Sequence, residues 1–186
     1  MASVLISLLP VTAIALEIAV SGDNLTSHAF DDWTLHCAEE TDTAGKTVRH
    51  CEIAQAVAVE DQGRAVEMLR LAVSRSGEGG KTAFTLVALA PLDVHLPSQF
   101  GLFAGDAKLA LAPYRNCNPN GCFVLIPLSK QDIKRLKRAR QGAALFRDLG
   151  GRPIKLSFSL MGFTKAFDSL AGGVTPAALS KTEEKP

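Results

Sequence analysis

The chain has 186 residues, 47% hydrophobic and 21% charged, with 15 glycines and 9 prolines. This excludes disordered, collagen-like and coiled-coil chains and fits one domain with short appendages. Twenty basic residues against 19 acidic ones leave a formal charge of +1, without the basic surplus usual in nucleic-acid-binding domains, so no nucleic-acid partner is expected.

Residues 1–20 read MASVLISLLPVTAIALEIAV, apolar until Glu17. The run over 4–16 has the length of a secretory signal core and falls short of the roughly 20 residues of a membrane span. Ala19 and Ser21 supply a cleavage site before Gly22, and Ala13 and Ala15 an alternative; no Lys or Arg precedes the run. An uncleaved anchor or buried helix is the rival, opposed by Pro10 and Glu17. The expected organisation is a signal peptide over 1–21, a domain over 22–172 and a disordered tail over 173–186. The expected location is the periplasm.

Four cysteines, Cys37, Cys51, Cys117 and Cys122, fit a disulfide framework with three connectivities. Local pairing, Cys37–Cys51 and Cys117–Cys122, is the simplest. Between the last two, Asn-Pro-Asn-Gly is a turn sequence, with Pro119 presetting the first corner and Asn120 tolerating the second.

In chain order, 33–38 (WTLHCA) alternates as a strand and 39–46 reads as a polar loop. Alternation resumes over 48–59, with Val48, His50, Glu52 and Ala54 on one side and Arg49, Cys51 and Ile53 on the other. The runs 64–75 and 81–90 flank a Gly-rich loop as a hairpin. Residues 91–105, holding Pro97 and two glycines, read as irregular. Residues 108–112 and 123–128 flank the cysteine turn as a second hairpin. Ser129 with Asp132 resembles a capping box opening a helix over 130–141, stopped at Gly142. Ile154, Leu156, Phe158 and Leu160 mark a half-buried strand, and 161–170 a last short helix before Gly172-Gly173. Six to eight short strands predict an antiparallel sandwich or barrel.

The order of these residues carries a family resemblance. Trp33-x-x-x-Cys37 is followed by Cys51 with Gln55, then by Leu96-Pro97 ahead of Phe100-Gly101. Tyr114-x-x-Cys117-x-x-x-Gly121-Cys122 is the most specific piece, and Gly162-Phe163-x-x-Ala166 with Leu170 closes the series. The pattern resembles the invasion-associated locus B family, exported proteins of Gram-negative bacteria named for a role in host-cell entry. The resemblance implies a mainly β fold, an immunoglobulin-like antiparallel β-sandwich with one or two short helices and disulfides. It implies no known enzymatic activity.

His36-Cys37 and His50-Cys51 place a histidine before each early cysteine, and strand neighbours point to opposite faces. If the cysteines face the core, His36, His50 and Glu52 share the outer face, as in a weak transition-metal site. Exposed polar residues are the simpler reading, so no metal and no cofactor is expected. The spacing of Cys117 and Cys122 is not C-x-x-C, which favours a structural bond over thiol exchange. Residues 130–140 hold six basic side chains in eleven. Ile133, Leu136 and Ala139 can face the core while Lys134, Arg135, Lys137 and Arg138 face out. A solvated face is the plainer reading, and weak contact with a membrane surface the alternative. A serine-hydrolase elbow, an HExxH helix and a phosphate loop are all absent, so no catalytic residue is assigned and no enzyme is expected. Trp33 and Tyr114 read as packing residues. The expected function is binding at the envelope, to an envelope or host protein, in host-cell interaction or invasion. A periplasmic hydrolase or redox enzyme without a recognisable motif is the rival.

Overall fold

The computed structural model describes residues 25–41, 43, 45–76 and 82–173. The signal peptide assigned to 1–21 lies outside them, and so does the tail assigned to 173–186 apart from Gly173. The strands are β1 (Leu25–Phe30), β2 (Trp33–Thr41), β3 (Thr47–Asp61), β4 (Arg64–Ser76), β5 (Ala83–Ala90), β6 (Phe100–Ala104), β7 (Ala107–Ala112), β8 (Asn116–Asn118), β9 (Gly121–Leu128), β10 (Gln141–Arg147) and β11 (Pro153–Ser159). Two helices, α1 (Lys130–Arg138) and α2 (Phe163–Gly172), complete the described fold. The strands form a seven-stranded sheet, β1-β2-β3-β4-β5-β9-β8, and a four-stranded one, β11-β10-β6-β7, with antiparallel pairings throughout. The architecture is a mainly β, antiparallel sandwich with two short helices.

Period-two alternation builds the shared core. Trp33, Leu35 and Cys37 of β2, Leu71 and Val73 of β4, Leu86 and Ala88 of β5, and Val124 and Ile126 of β9 turn inward from the larger sheet. Phe100, Leu102, Ala144, Phe146 and Phe158 join the same buried cluster from the smaller one. Helix α2 lies against β1–β4. Its buried residues Phe163, Ala166, Phe167 and Leu170 recur at the three- and four-residue spacing of one helical face. Phe163 meets Trp33 edge-on at 5.0 Å, and Phe167 meets Phe84 at 4.6 Å. Gly162 precedes α2 with φ +82°, and a Cβ there would lie 1.8 Å from the Phe30 carbonyl oxygen, so only glycine lets the helix close against β1.

Several local expectations fail for non-local reasons. Helix α1 ends at Arg138, not at residue 141, because Ala139 is extended and Gln141 already pairs with Ser159 as β10 begins. Gly142 is therefore a strand residue, and it makes room for a ring: an added Cβ would lie 2.2 Å from Phe158 Cζ. Residues 91–105 are not wholly irregular, since β6 lies among them and pairs with both β7 and β10. Residues 108–112 belong to β7 beside β6, so the partner of β9 at the cysteine turn is the three-residue β8. The described residues form eleven strands rather than six to eight, and β3 and β4, at 15 and 13 residues, are long ones.

Candidate functional site

The four cysteines form two disulfides, Cys37–Cys51 and Cys117–Cys122. Each joins residues directly opposed across an antiparallel pair, β2 with β3 and β8 with β9. In the second, Pro119 and Asn120 form the connection, and the Asn120 N–H donates to Asn118 Oδ1 at 2.9 Å. Tyr114 packs against the core ahead of this turn, its hydroxyl buried without a hydrogen-bond partner among the described residues. Burial pushes its phenol up to about 12.

Cys37 turns inward at 2% exposure, so His36, Ala38, His50 and Glu52 share the opposite face of β2 and β3. Register sets His36 opposite Glu52, and His50 opposite Ala38. The His36 ring shares a hydrogen bond of 2.7 Å between Nδ1 and Ser27 Oγ. The two histidines and the glutamate share a face without converging. Among the described residues, no three His, Cys, Asp or Glu side chains come close enough to hold a metal ion.

Beside this face opens a cavity of about 580 Å³, within the usual size range of small-ligand sites. Its walls include His36, Arg49, His50, Glu52, Arg75 and Leu170. Arg49 is bridged to Glu39 across β2 and β3. Arg75 Nη1 donates to the Ala171 carbonyl at 3.3 Å, at the end of α2. The sequence marks Leu170 only as part of the family pattern and Arg75 not at all. They reach the cavity through pairing and helix packing that no local pattern announces.

Helix α1 is the second candidate. Ser129 and Asp132 close its capping box: the Asp132 N–H donates to Ser129 Oγ, and the Ser129 N–H to Asp132 Oδ2, both at 3.1 Å. Leu136 is its buried anchor at 1% exposure. The basic residues divide into two groups. Lys137 is bridged to Asp168 of α2 with its Nζ 4.9 Å from the Phe167 ring centre, and Arg135 faces Asp132 at 3.9 Å. Lys130, Lys134 and Arg138 are exposed and recur every four residues, so they form one stripe along the helix. The sequence reading grouped Lys134 and Arg138 with Arg135 and Lys137; packing separates them.

Among the described residues two hydroxyl–imidazole contacts occur, Ser27 with His36 and Ser98 with His95, the latter at 2.8 Å. No carboxylate hydrogen-bonds either ring among the described residues. The second sits in a tight turn where the Ser98 N–H also donates to the His95 carbonyl at 3.0 Å.

Residues 33–171 match the invasion associated locus B (IalB) protein family. The chain belongs to that family. A similar solved structure is that of invasion associated protein b from Bartonella henselae, with 18% identity, a TM-score of 0.62, and coverage of 79% of this chain and 96% of that one. At that identity the likeness concerns the fold. No curated protein matches the chain. The matched span opens at Trp33 and closes just past Leu170, and it contains all four cysteines. Family and disulfides together suggest an exported protein, and no helix among the described residues is long and apolar enough to cross a membrane.

Proposed function

We propose that this family member works in the periplasm as an envelope protein that acts by binding, and that the stripe of Lys130, Lys134 and Arg138 holds it to an anionic membrane surface. The observation that carries the reading is that these three cations have no acidic partner among the described residues, while their neighbours Arg135 and Lys137 have one. Like charges four residues apart destabilise a helix by about 0.2–0.5 kcal/mol per pair. The helix dipole favours Arg138 in the last turn, but it gives no reason to retain Lys130 and Lys134 on the same stripe, whereas an anionic surface does. The rest of the chain balances the charge to a formal +1, so any attraction is local to this corner and sensitive to salt. The name of the similar Bartonella henselae protein, invasion associated protein b, makes host-cell interaction the biological setting, and neither that name nor the family's own names an enzymatic activity.

The test is co-sedimentation of the exported chain with phosphatidylglycerol-containing vesicles against phosphatidylcholine vesicles. Salt-sensitive binding to the former, lost in the triple Lys130→Gln, Lys134→Gln, Arg138→Gln variant, is expected. Equal behaviour of the triple variant and the parent sinks the membrane reading.

A further inference from the structure

Antiparallel sheets that cover a core on one face usually turn polar side chains outward on the other. The four-stranded sheet departs from this. Its core face holds Phe100 and Leu102 of β6, Ala112 of β7, Ala144 and Phe146 of β10 and Phe158 of β11, so the residues between them point to the outer face. Register sets these in two rows across the sheet. Leu111 of β7, Gly101 of β6, Leu145 of β10 and Lys155 of β11 make one row, and Lys108, Phe103, Ala143 and Ser157 make the other.

The apolar members of the two rows form one patch. A Cβ built on Gly101 would lie 3.1 Å from Phe103 Cε2, 3.3 Å from Leu111 Cδ2 and 3.4 Å from Leu145 Cβ. All three side chains therefore converge over the glycine. Leu111 and Leu145 nevertheless stay 49% and 37% exposed. The chain is described without interruption over 82–173, which includes every connection adjoining this sheet. A contiguous apolar patch within a polar rim marks an interaction surface.

The charges around the patch define what it meets. Lys108 and Lys155 stand on the two edge strands, β7 and β11, exposed and without an acidic partner among the described residues. Arg147, two residues beyond Leu145 on the same face, donates to the Gly151 carbonyl at 2.6 Å and to no carboxylate. Neither row contains an Asp or Glu. Such a face suits apolar residues flanked by carboxylates, whereas a second copy of it would set lysines against lysines. Lysine and arginine also reach further from the sheet than leucine, so a bilayer would meet the charges before the leucines entered its apolar zone. Strands β7 and β11 are three spacings, or about 14 Å, apart, and a helix with its side chains is about 10–12 Å across. A helix therefore fits along the patch with one lysine beside each flank.

We infer that the outer face of the four-stranded sheet docks an acidic amphipathic helix of a partner protein, its apolar ridge over Phe103, Leu111 and Leu145 and its carboxylates on Lys108 and Lys155. This goes beyond the membrane reading and shares no residue with it. The test uses the exported chain, labelled with ¹⁵N, and three probes. They are the peptide Ac-Glu-Leu-Glu-Ala-Leu-Leu-Glu-Glu-Leu-Glu-Ala-Leu-Leu-Glu-NH2, its counterpart with Lys for every Glu, and phosphatidylglycerol vesicles. The acidic peptide should shift the Gly101, Phe103 and Leu145 amide signals and bind more tightly than the Lys peptide. Leu111→Ser combined with Leu145→Ser should weaken it about tenfold or more, the usual effect of losing buried leucine contacts. Lys108→Glu combined with Lys155→Glu should reverse the preference between the two peptides. The triple glutamine variant of α1 should bind the acidic peptide as the parent does. Equal affinity for the two peptides, shifts confined to other faces, or loss of peptide binding in the α1 variant would each overturn the inference. So would the same amides responding to the vesicles, which makes the patch a lipid contact, or to protein concentration alone, which makes it a contact between copies. If the double serine variant proves unfolded by circular dichroism, the charge reversal and the Glu/Lys comparison still decide.

Discussion

Trp33 Nε1 donates to the carbonyl of Ser159 at 3.0 Å, across 126 positions of sequence. The bond ties the first inward residue of β2 to the last residue of β11, and so joins the two sheets directly. Trp33 is 1% exposed and lies edge-on to Phe163, so its ring serves both the sandwich core and the seat of α2. Trp33→Phe keeps an aromatic ring but removes the donor and part of the volume. It should destabilise the protein by about 2–3 kcal/mol, the sum expected for a part-buried carbonyl left without its donor and a small cavity. Urea unfolding measures this, and an unchanged midpoint would show the bond to be dispensable.

Tyr114 presents the opposite case. Its hydroxyl is buried and unpaired, and burial raises its pKa from 10.0 to about 12. Removing a polar group that has no partner leaves nothing else unsatisfied. Tyr114→Phe should therefore leave stability unchanged or raise it by up to about 1 kcal/mol. In the parent, the folded phenol's pKa lies above the unfolded one. The stability linked to it is thus intact below pH 10 and is lost as pH rises through about 12. Ultraviolet titration of this single tyrosine should show little phenolate at pH 10.5 in the folded protein and about three-quarters phenolate in urea. Coincident curves would contradict the burial.

The two disulfides differ in the loop each closes, with sequence separations of 14 and 5. Replacing Cys37 and Cys51 together by serine should cost about 2–5 kcal/mol, and replacing Cys117 and Cys122 less, because the shorter loop loses less chain entropy. Non-reducing peptide mapping tests the pairing itself. A peptide joining either early cysteine to either late one would refute it.

What the sequence made legible is what short-range physics decides. The alternation of Trp33, Leu35 and Cys37, the Ser129–Asp132 cap, the Gly-rich connection between β4 and β5, and the helical spacing of Phe163, Ala166 and Leu170 each depend on residues within a turn or two. The exported-protein cysteine pattern and the family motifs belong to the same class. Gly142 reads locally as a helix stop because a helix stop and a seat for a distant ring both select glycine, and only the cross-strand neighbour Phe158 separates them. Strand β7 went to the wrong partner because sheet membership depends on which edge is free, a property of the whole fold. The cavity was illegible for the same reason. Its walls come from β2, β3, β4 and α2, each of which keeps its ordinary pattern, and Arg75 carries no mark that distinguishes it from any solvated arginine.

Helix α1 allows a test in which two sets of basic residues move stability in opposite directions. Lys130, Lys134 and Arg138 repel along one stripe, at about 0.2–0.5 kcal/mol per adjacent pair. Changing all three to glutamine should raise stability by up to about 1 kcal/mol, and the gain should fade at high salt. Lys137 is different: it bridges to Asp168 and sits over Phe167, linking α1 to α2. The ion pair is partly exposed, so it contributes only about 0.2–1 kcal/mol, with the ring contact adding a similar amount. Lys137→Gln should therefore lower stability by about 0.5–1.5 kcal/mol, with a residue that persists in salt because the packing on Phe167 is not screened. Chemical denaturation of the two variants at low and high ionic strength measures both signs. If the triple variant is destabilised instead, the stripe has structural partners and the case for its serving an outside surface fails.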